Sequence, residues 1–120
     1  MEIWVNPACS KCRVATDELD AAGIGYTVRR YLDDVTTVAE LADVLDRLGV
    51  EPWDIARPKE AREEGIDLPK DPANRDAWLA ALAAHPRAIQ RPIITAADGT
   101  TVVGRDADSL GRVISAESGG

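Results

Sequence analysis

Two cysteines, Cys9 and Cys12, are the residues of this 120-residue chain best suited to chemistry. They stand three positions apart in the segment NPACSKC, and the one histidine, His85, is remote in sequence. Because a structural zinc site needs four such ligands, we predict no metal site. A C-x-x-C pair instead indicates thiol redox chemistry, and the alternative is that both cysteines are small buried apolar residues.

The residues around the cysteines predict a β-α-β unit over 1–31. Residues 2–5 predict a strand that ends at Asn6-Pro7, and a helix begins at Cys9 or Ser10. Its apolar positions, Val14, Leu19 and Ala22, fall near one face, and the β-rich segment Tyr26-Thr-Val-Arg predicts a second strand. Such a unit implies a parallel strand pair with a right-handed crossover.

Cys9 is the predicted nucleophile because it stands at the start of this helix. The first N–H groups of a helix have no partner within the helix, and the positive end of the helix dipole lies there. Both lower the pKa of a thiol below its free value of about 8.5, and Lys11 and Arg13 add positive charge nearby. Cys12 lies most of a turn further along, so we predict that it is the resolving thiol if it takes part.

The rest of the chain predicts a helical block followed by a β-β-α unit. Thr37 and Glu40 have the spacing of a capping box before an amphipathic helix, and Asp98-Gly99 predicts a hairpin turn between two strands. A last helix begins at Asp106 or Asp108. The order predicts one α/β domain over 1–120, thioredoxin-like, with a four-stranded mixed sheet flanked by helices. A helical insertion occupies about 34–85, and residues 116–120 form a frayed tail.

The charge distribution argues against a nucleic-acid ligand. The formal net charge is −7, and the segments 1–31 and 86–120 each carry equal numbers of acids and bases, so the surplus acid lies in 32–85. Phosphate backbones are bound by basic surfaces, so no direct nucleic-acid binding is expected. No apolar run approaches the ~20 residues of a membrane span, and no signal peptide is evident, so we expect a cytoplasmic protein.

Two motifs together give a resemblance to a known family. Asn6-Pro7-Ala8-Cys9 follows the first strand, and His85-Pro86 with Arg91-Pro92-Ile93-Ile94 precedes the end of the chain. This combination resembles the ArsC/Spx family, which comprises ArsC-type arsenate reductases and Spx regulators, over Glu2 to about Val113. The resemblance implies a thioredoxin-like fold with a helical insertion.

The resemblance also implies a set of site residues. In the reductases one cysteine attacks arsenate and three arginines hold the oxyanion, and these match Cys9, Arg57, Arg91 and Arg105. Pro92 matches a proline that thioredoxin-like folds hold in cis beside the cysteine. Arginine suits a tetrahedral oxyanion because its charged donors are fixed and bidentate. The alternative for Arg57 and Arg105 is that they are ordinary surface arginines; His85 is expected to end a helix rather than to take part in catalysis.

Three functions remain open at this point. The first is an arsenate reductase without a bound cofactor, which uses a low-molecular-weight thiol or a redoxin of the glutaredoxin or thioredoxin type as electron donor. The second is an Spx-like redox-sensing regulator that binds the RNA polymerase α-subunit; Cys12 favours it, since glutaredoxin-coupled reductases usually have no cysteine there. The third is a general thiol–disulfide oxidoreductase. The reductases also carry a histidine where this chain has Val5.

Overall fold

The structure is a computed structural model that describes residues 1–119. Its sheet contains four strands in the order β2-β1-β3-β4. The bounds are Glu2–Val5 for β1, Thr27–Arg30 for β2, Ile93–Thr95 for β3 and Thr101–Val103 for β4. Within residues 1–119, five α-helices accompany the strands: α1 Ser10–Ala21, α2 Val38–Leu48, α3 Pro58–Glu63, α4 Arg75–Ala84 and α5 Ala107–Gly119. The predicted mixed sheet with flanking helices is confirmed.

The register of the sheet brings three chain segments to one edge. Strand β1 pairs with β2 in parallel, with Val5 opposite Arg30, and pairs with β3 antiparallel, with Trp4 opposite Ile93. The segment after β1, the segment after β2 and the segment before β3 therefore lie side by side. The predicted parallel β-α-β pair is confirmed, although β2 begins one residue later than the sequence pattern indicates.

Contacts divide the chain into two compact units. One consists of Met1–Asp34 and Arg91–Gly120, and the other of Val35–Gln90. The second overlaps the segment predicted as a helical insertion, about 34–85, and extends to Gln90. The added residues belong to it because Gln90 N–H donates to the Ile55 carbonyl at 2.7 Å, in an isolated bridge between two loop segments.

The core of the first unit, the sheet unit, lies between the sheet and helices α1 and α5. The strands contribute Ile3, Val5, Ile94 and Val102 to this core. Helix α1 contributes Cys12, Ala15 and Leu19, and helix α5 contributes Leu110 and Val113. The predicted shared face for Val14 and Leu19 is wrong, because Leu19 is buried whereas the side chain of Val14 is 50% exposed. The buried face of α1 is set by Cys12, Ala15 and Leu19, which leaves Val14 on the outer side of the helix.

The second unit, the helical unit, is organised around α2 and α4. Thr37 accepts a hydrogen bond from the Glu40 N–H, and the Glu40 carboxylate accepts one from the Thr37 N–H, which confirms the capping box. Gly49 ends α2 in the left-handed region at φ 70°, a conformation that favours glycine. Leu41, Val44 and Leu45 are buried on α2, whereas Val38 is exposed.

The end of the chain differs from its prediction. Helix α5 starts after Asp106, whose carboxylate accepts the Ser109 N–H at 2.7 Å, and it continues to Gly119. The predicted frayed tail at 116–120 is therefore wrong for 116–119, and Gly120 lies outside the described residues. Over residues 1–119, no helix is long and apolar enough to span a bilayer.

The capping box predicts a measurable contribution to stability. Replacing Thr37→Ala removes the acceptor for the Glu40 N–H, so the free energy of unfolding in urea should fall by about 1 kcal/mol. The matched control is Glu40→Gln, which keeps an acceptor for the Thr37 N–H and should cost much less. Equal losses in the two variants would contradict a specific role for the Thr37 hydroxyl.

Candidate active site

A tight turn connects β1 to α1 and sets the position of Cys9. The Cys9 N–H donates to the Asn6 carbonyl at 2.9 Å, and the Asn6 side-chain oxygen accepts the Ala8 N–H at 3.0 Å. Pro7 occupies the second position of this turn, where its fixed φ is favoured. The motif NPAC is thus a turn that places Cys9 at the N-cap of α1.

The surroundings of Cys9 favour its thiolate. Partial burial is the largest single influence and raises the pKa, but several hydrogen-bonding groups outweigh it and lower the pKa of Cys9 to about 7. The groups that lower it are, in order, the backbone N–H and the thiol of Cys12, the Arg91 side chain and the Lys11 N–H. Cys9 is therefore about half ionised at neutral pH and partly exposed to solvent.

Cys12 has the opposite character. Its side chain is 3% exposed within the core of the sheet unit, and burial raises its pKa to about 12. The neighbouring Cys9 raises this pKa further, while the Asn6 N–H and Arg91 oppose the rise. Both cysteines are free thiols. The alternative interpretation, that both cysteines are small buried apolar residues, thus agrees with the burial of Cys12 but not with the partial exposure of Cys9.

Arg91 and Arg105 lie together in the sheet unit. Arg105 directly follows β4, and its Nη1 donates to the Arg91 carbonyl at 2.6 Å. The Arg91–Pro92 peptide bond is cis, as the resemblance implies. Because the side chain of Arg91 acts on the Cys9 thiolate, the structure connects Cys9, Arg91 and Arg105 in a continuous set. Cys9 and two of the three predicted arginines thus belong to one cluster.

Tyr31 is a member of this site that sequence reasoning missed. Its side chain is 1% exposed, and burial raises its pKa to about 12, so the phenol is neutral. The Arg91 side chain forms a hydrogen bond with it, and both cysteines are close enough to affect its ionisation. One signal could have found it: Tyr31 directly follows β2, and the carboxyl ends of parallel strands meet at one edge of a sheet.

The remaining predicted residues, Arg57 and His85, lie in the helical unit. Arg57 is the N-cap of α3, and its guanidinium pairs with Glu60 through Nε–Oε2 at 3.2 Å and Nη2–Oε1 at 3.3 Å. Its role toward Cys9 stays a prediction. His85 ends α4, as expected, and its Nδ1 lies 3.3 Å from Glu64 Oε2. Among residues 1–119, no group of three or more ligand-type side chains could hold a metal ion.

Comparison with known proteins gives consistent matches. The model of the ArsC family matches residues 4–113. An uncharacterised protein in the glnII region of Streptomyces viridochromogenes is 59% identical, covering 92% of this chain and 95% of that protein. A Neisseria meningitidis protein named arsenate reductase is 36% identical, covering 95% and 97%. The solved structure of an arsenate reductase from Vibrio cholerae superimposes with a TM-score of 0.74 at 32% identity, covering 95% and 96%.

The ionisation of Cys9 predicts its reactivity with alkylating agents. The rate of modification by iodoacetamide should reach half its maximum near pH 7, because only the thiolate reacts and its pKa is about 7. In the Arg91→Gln variant this midpoint should move to higher pH, since a group that lowers the pKa has been removed.

Two controls isolate the effect. Arg112→Gln removes an exposed arginine of α5 and should leave the midpoint unchanged. Cys9→Ser should leave a chain that barely reacts at pH 7, because Cys12 is buried with a pKa of about 12. An unchanged midpoint in Arg91→Gln would show that Arg91 does not stabilise the thiolate.

Proposed function

The chain belongs to the ArsC family, and from this membership we propose that it is a thiol-dependent oxidoreductase that reduces arsenate to arsenite. One observation carries the proposal: a cysteine with a pKa of about 7 is contacted by one arginine, whose backbone carbonyl holds a second. A nucleophilic thiolate beside fixed cations suits a substrate that is an anion with an electrophilic centre. The relative from N. meningitidis named arsenate reductase supports arsenate as that anion.

The first chemical step is attack on arsenic. The Cys9 thiolate displaces one oxygen of arsenate, which leaves as water after protonation, and a sulfur–arsenic bond forms. Arg91 and Arg105 stabilise the negative charge of the oxyanion through charge-assisted hydrogen bonds. By resemblance Arg57 supplies the third such contact.

The second step is reduction. A second thiolate attacks the Cys9 sulfur, the sulfur–arsenic bond breaks, and its electron pair goes to arsenic. Arsenite leaves, each of the two sulfurs has lost one electron, and a disulfide remains. The reductant is a low-molecular-weight thiol or a redoxin, and no bound cofactor is required. We expect the reaction in the cytoplasm, where such thiols are kept reduced.

Arsenate turnover tests the proposal directly. The purified chain is supplied with arsenate and, in turn, with glutathione, with glutathione plus glutaredoxin, and with thioredoxin plus its reductase, and arsenite is measured. Cys9→Ser should lower turnover by at least about 1000-fold, because it removes the nucleophile. Cys12→Ser is the matched control and keeps turnover if the second thiol is external.

Each outcome of this assay has a meaning. Turnover that survives in Cys9→Ser would contradict the mechanism. A second candidate is a general thiol–disulfide oxidoreductase. It would be favoured if the chain exchanges disulfides with a redoxin equally well without arsenate and releases no arsenite when arsenate is present. The closeness of Cys9 and Cys12 is the observation that supports that candidate.

The predicted role of Arg57 has its own test. Arg57→Ala should lower kcat/KM for arsenate by about 100-fold if its guanidinium holds the oxyanion. Arg62→Ala removes an exposed arginine from the same short helix and should change kcat/KM little. If the two variants behave alike, Arg57 is a structural partner of Glu60 and not a ligand of the anion.

A further inference from the structure

Tyr31 carries a buried hydroxyl that the reaction steps of the proposed function do not involve. Of the fully buried side chains within residues 1–119, that of Tyr31 is the largest, and it is 1% exposed. Packing alone does not require a tyrosine, because phenylalanine would fill the same space without a polar atom. A buried hydroxyl is unfavourable unless it is hydrogen-bonded, and the partner of Tyr31 is the Arg91 side chain.

The register of the sheet explains how these two residues meet. Trp4 of β1 is opposite Arg29 on one side and opposite Ile93 on the other. Tyr31 follows Arg29 by two residues, and Arg91 precedes Ile93 by two. Continued past the strand ends, this register puts Tyr31 and Arg91 on one face of the sheet, two strand spacings or about 10 Å apart. Their long side chains bridge this distance in the hydrogen bond.

The chemistry of the two groups determines the direction of this hydrogen bond. A guanidinium has five N–H donors and no acceptor, so the phenol oxygen of Tyr31 accepts from Arg91. Burial raises the pKa of Tyr31 to about 12, so the phenol is uncharged at neutral pH. A neutral acceptor holds the guanidinium without offsetting its positive charge. A carboxylate partner offsets that charge, as Glu60 does for Arg57.

Arg91 is held at its backbone and at its side chain. Its carbonyl accepts from Arg105 Nη1 at 2.6 Å, and its guanidinium donates to Tyr31. Arginine has many rotamers, so a fixed partner is needed to keep its guanidinium in one place. The same side chain forms the hydrogen bond that lowers the pKa of Cys9. The position of the Arg91 guanidinium therefore affects the thiolate.

The influence of Tyr31 on Cys9 passes through Arg91. The groups that act on Tyr31, besides its burial, come from two neighbouring segments: Arg91 before β3, and Cys12 and Cys9 at the start of α1. The interaction of Tyr31 with each cysteine is electrostatic, whereas its interaction with Arg91 includes a hydrogen bond. Because the neutral phenol has no charge to act on a thiolate, its contact with Arg91 is the effective one.

We propose that Tyr31 is a positioning residue, whose hydroxyl accepts a hydrogen bond from Arg91 and holds the guanidinium where it reaches both the Cys9 sulfur and a bound oxyanion. The part that concerns the oxyanion rests on the proposed function, and the part that concerns Cys9 does not. Without the hydroxyl, Arg91 adopts other rotamers. The thiolate then loses part of its stabilisation, and the site loses part of its preorganised positive charge.

The titration of Cys9 tests this role in the absence of arsenate. Tyr31→Phe removes the hydroxyl and keeps the ring. The midpoint of alkylation by iodoacetamide should move above its value near pH 7, and the rate at pH 7 should fall by about twofold or more. The matched control is Tyr26→Phe, which removes an exposed hydroxyl that donates to Asp20 at 2.9 Å and should not move the midpoint. An unchanged midpoint in Tyr31→Phe would overturn the proposal.

A second background shows whether Tyr31 acts through Arg91. When Arg91→Gln is already present, adding Tyr31→Phe should leave the midpoint of Cys9 where the first substitution put it. Melting temperatures verify that each variant is folded. A loss of packing alone would lower the melting temperature without moving the midpoint. Equal shifts with and without Arg91 would overturn the proposal, because the hydroxyl would then act on Cys9 directly.

The guanidinium can also be observed in the unsubstituted chain. Its NMR signals, assigned by their loss in Arg91→Gln, should show slow rotation about the Nε–Cζ bond, whereas those of the exposed Arg112 should average. In Tyr31→Phe the Arg91 signals should average as well. Averaged signals of Arg91 in the unsubstituted chain would overturn the proposal even if Tyr31→Phe failed to fold.

Arsenate kinetics separate this inference from the proposed function. Tyr31→Phe should lower kcat/KM for arsenate by about 10-fold, through a lower kcat and a higher KM, whereas Tyr26→Phe should leave both unchanged. An unsubstituted chain that does not reduce arsenate would defeat the proposed function, but the titration and NMR results would still decide the role of Tyr31 toward Cys9. Turnover with an unchanged kcat/KM in Tyr31→Phe would overturn the role of Tyr31 toward the oxyanion.

Discussion

The opposition between burial and hydrogen bonding at one sulfur governs the site. Burial alone would raise the pKa of Cys9, and the thiolate persists because N–H groups at the start of α1 and the Arg91 side chain oppose that effect. Each contributor depends on the sheet. Strand β1 delivers Cys9 through the turn at Asn6, and the antiparallel register places Pro92, and hence Arg91, next to the end of β1. The strand order and register therefore determine which residues meet at this edge of the sheet, as well as which residues form the core.

The two thiols show how a difference of three residues along a helix separates chemical roles. At the N-cap, Cys9 remains open to substrate and to backbone donors, whereas Cys12 has turned inward and packs with Ala15 and Leu19. The same helix therefore supplies one reactive sulfur and one core residue. A resolving role for Cys12 requires its buried thiol to lose a proton against a pKa of about 12, whereas an external thiol does not meet this obstacle.

Local signals predicted most of the fold, and long-range packing decided the rest. Neighbouring residues specify three local features: the turn at Pro7, the capping box at Thr37 and the hairpin at Gly99. The helices and strands next to these features were therefore predicted from the sequence. Val14 was predicted to share a face with Leu19, but it is exposed whereas Leu19 is buried, because five residues turn a helix by about 140°. The end of α5 was also predicted wrongly: the glycines at the end of the chain indicated a frayed tail, but the helix continues to Gly119.

The residues of the candidate site that belong to short sequence motifs could be predicted from the sequence. Cys9 and Arg91 are members of compact motifs, and Arg105 was implied by the family resemblance, which places an arginine after the last strand. Tyr31 escaped because a tyrosine at the end of a strand has no distinctive local pattern, and only the folded sheet brings it to Arg91.

The bond from Arg105 to the Arg91 carbonyl has a consequence for how the arginines are studied. Arg105 supports the backbone of the residue that stabilises the thiolate, in addition to any contact of its own with an anion. Replacing it disturbs two functions at once, so the kinetic losses from changing Arg91 and Arg105 singly should not add up to the loss from changing both. A double-mutant cycle would measure that coupling, and the pair is best regarded as a single cooperative unit.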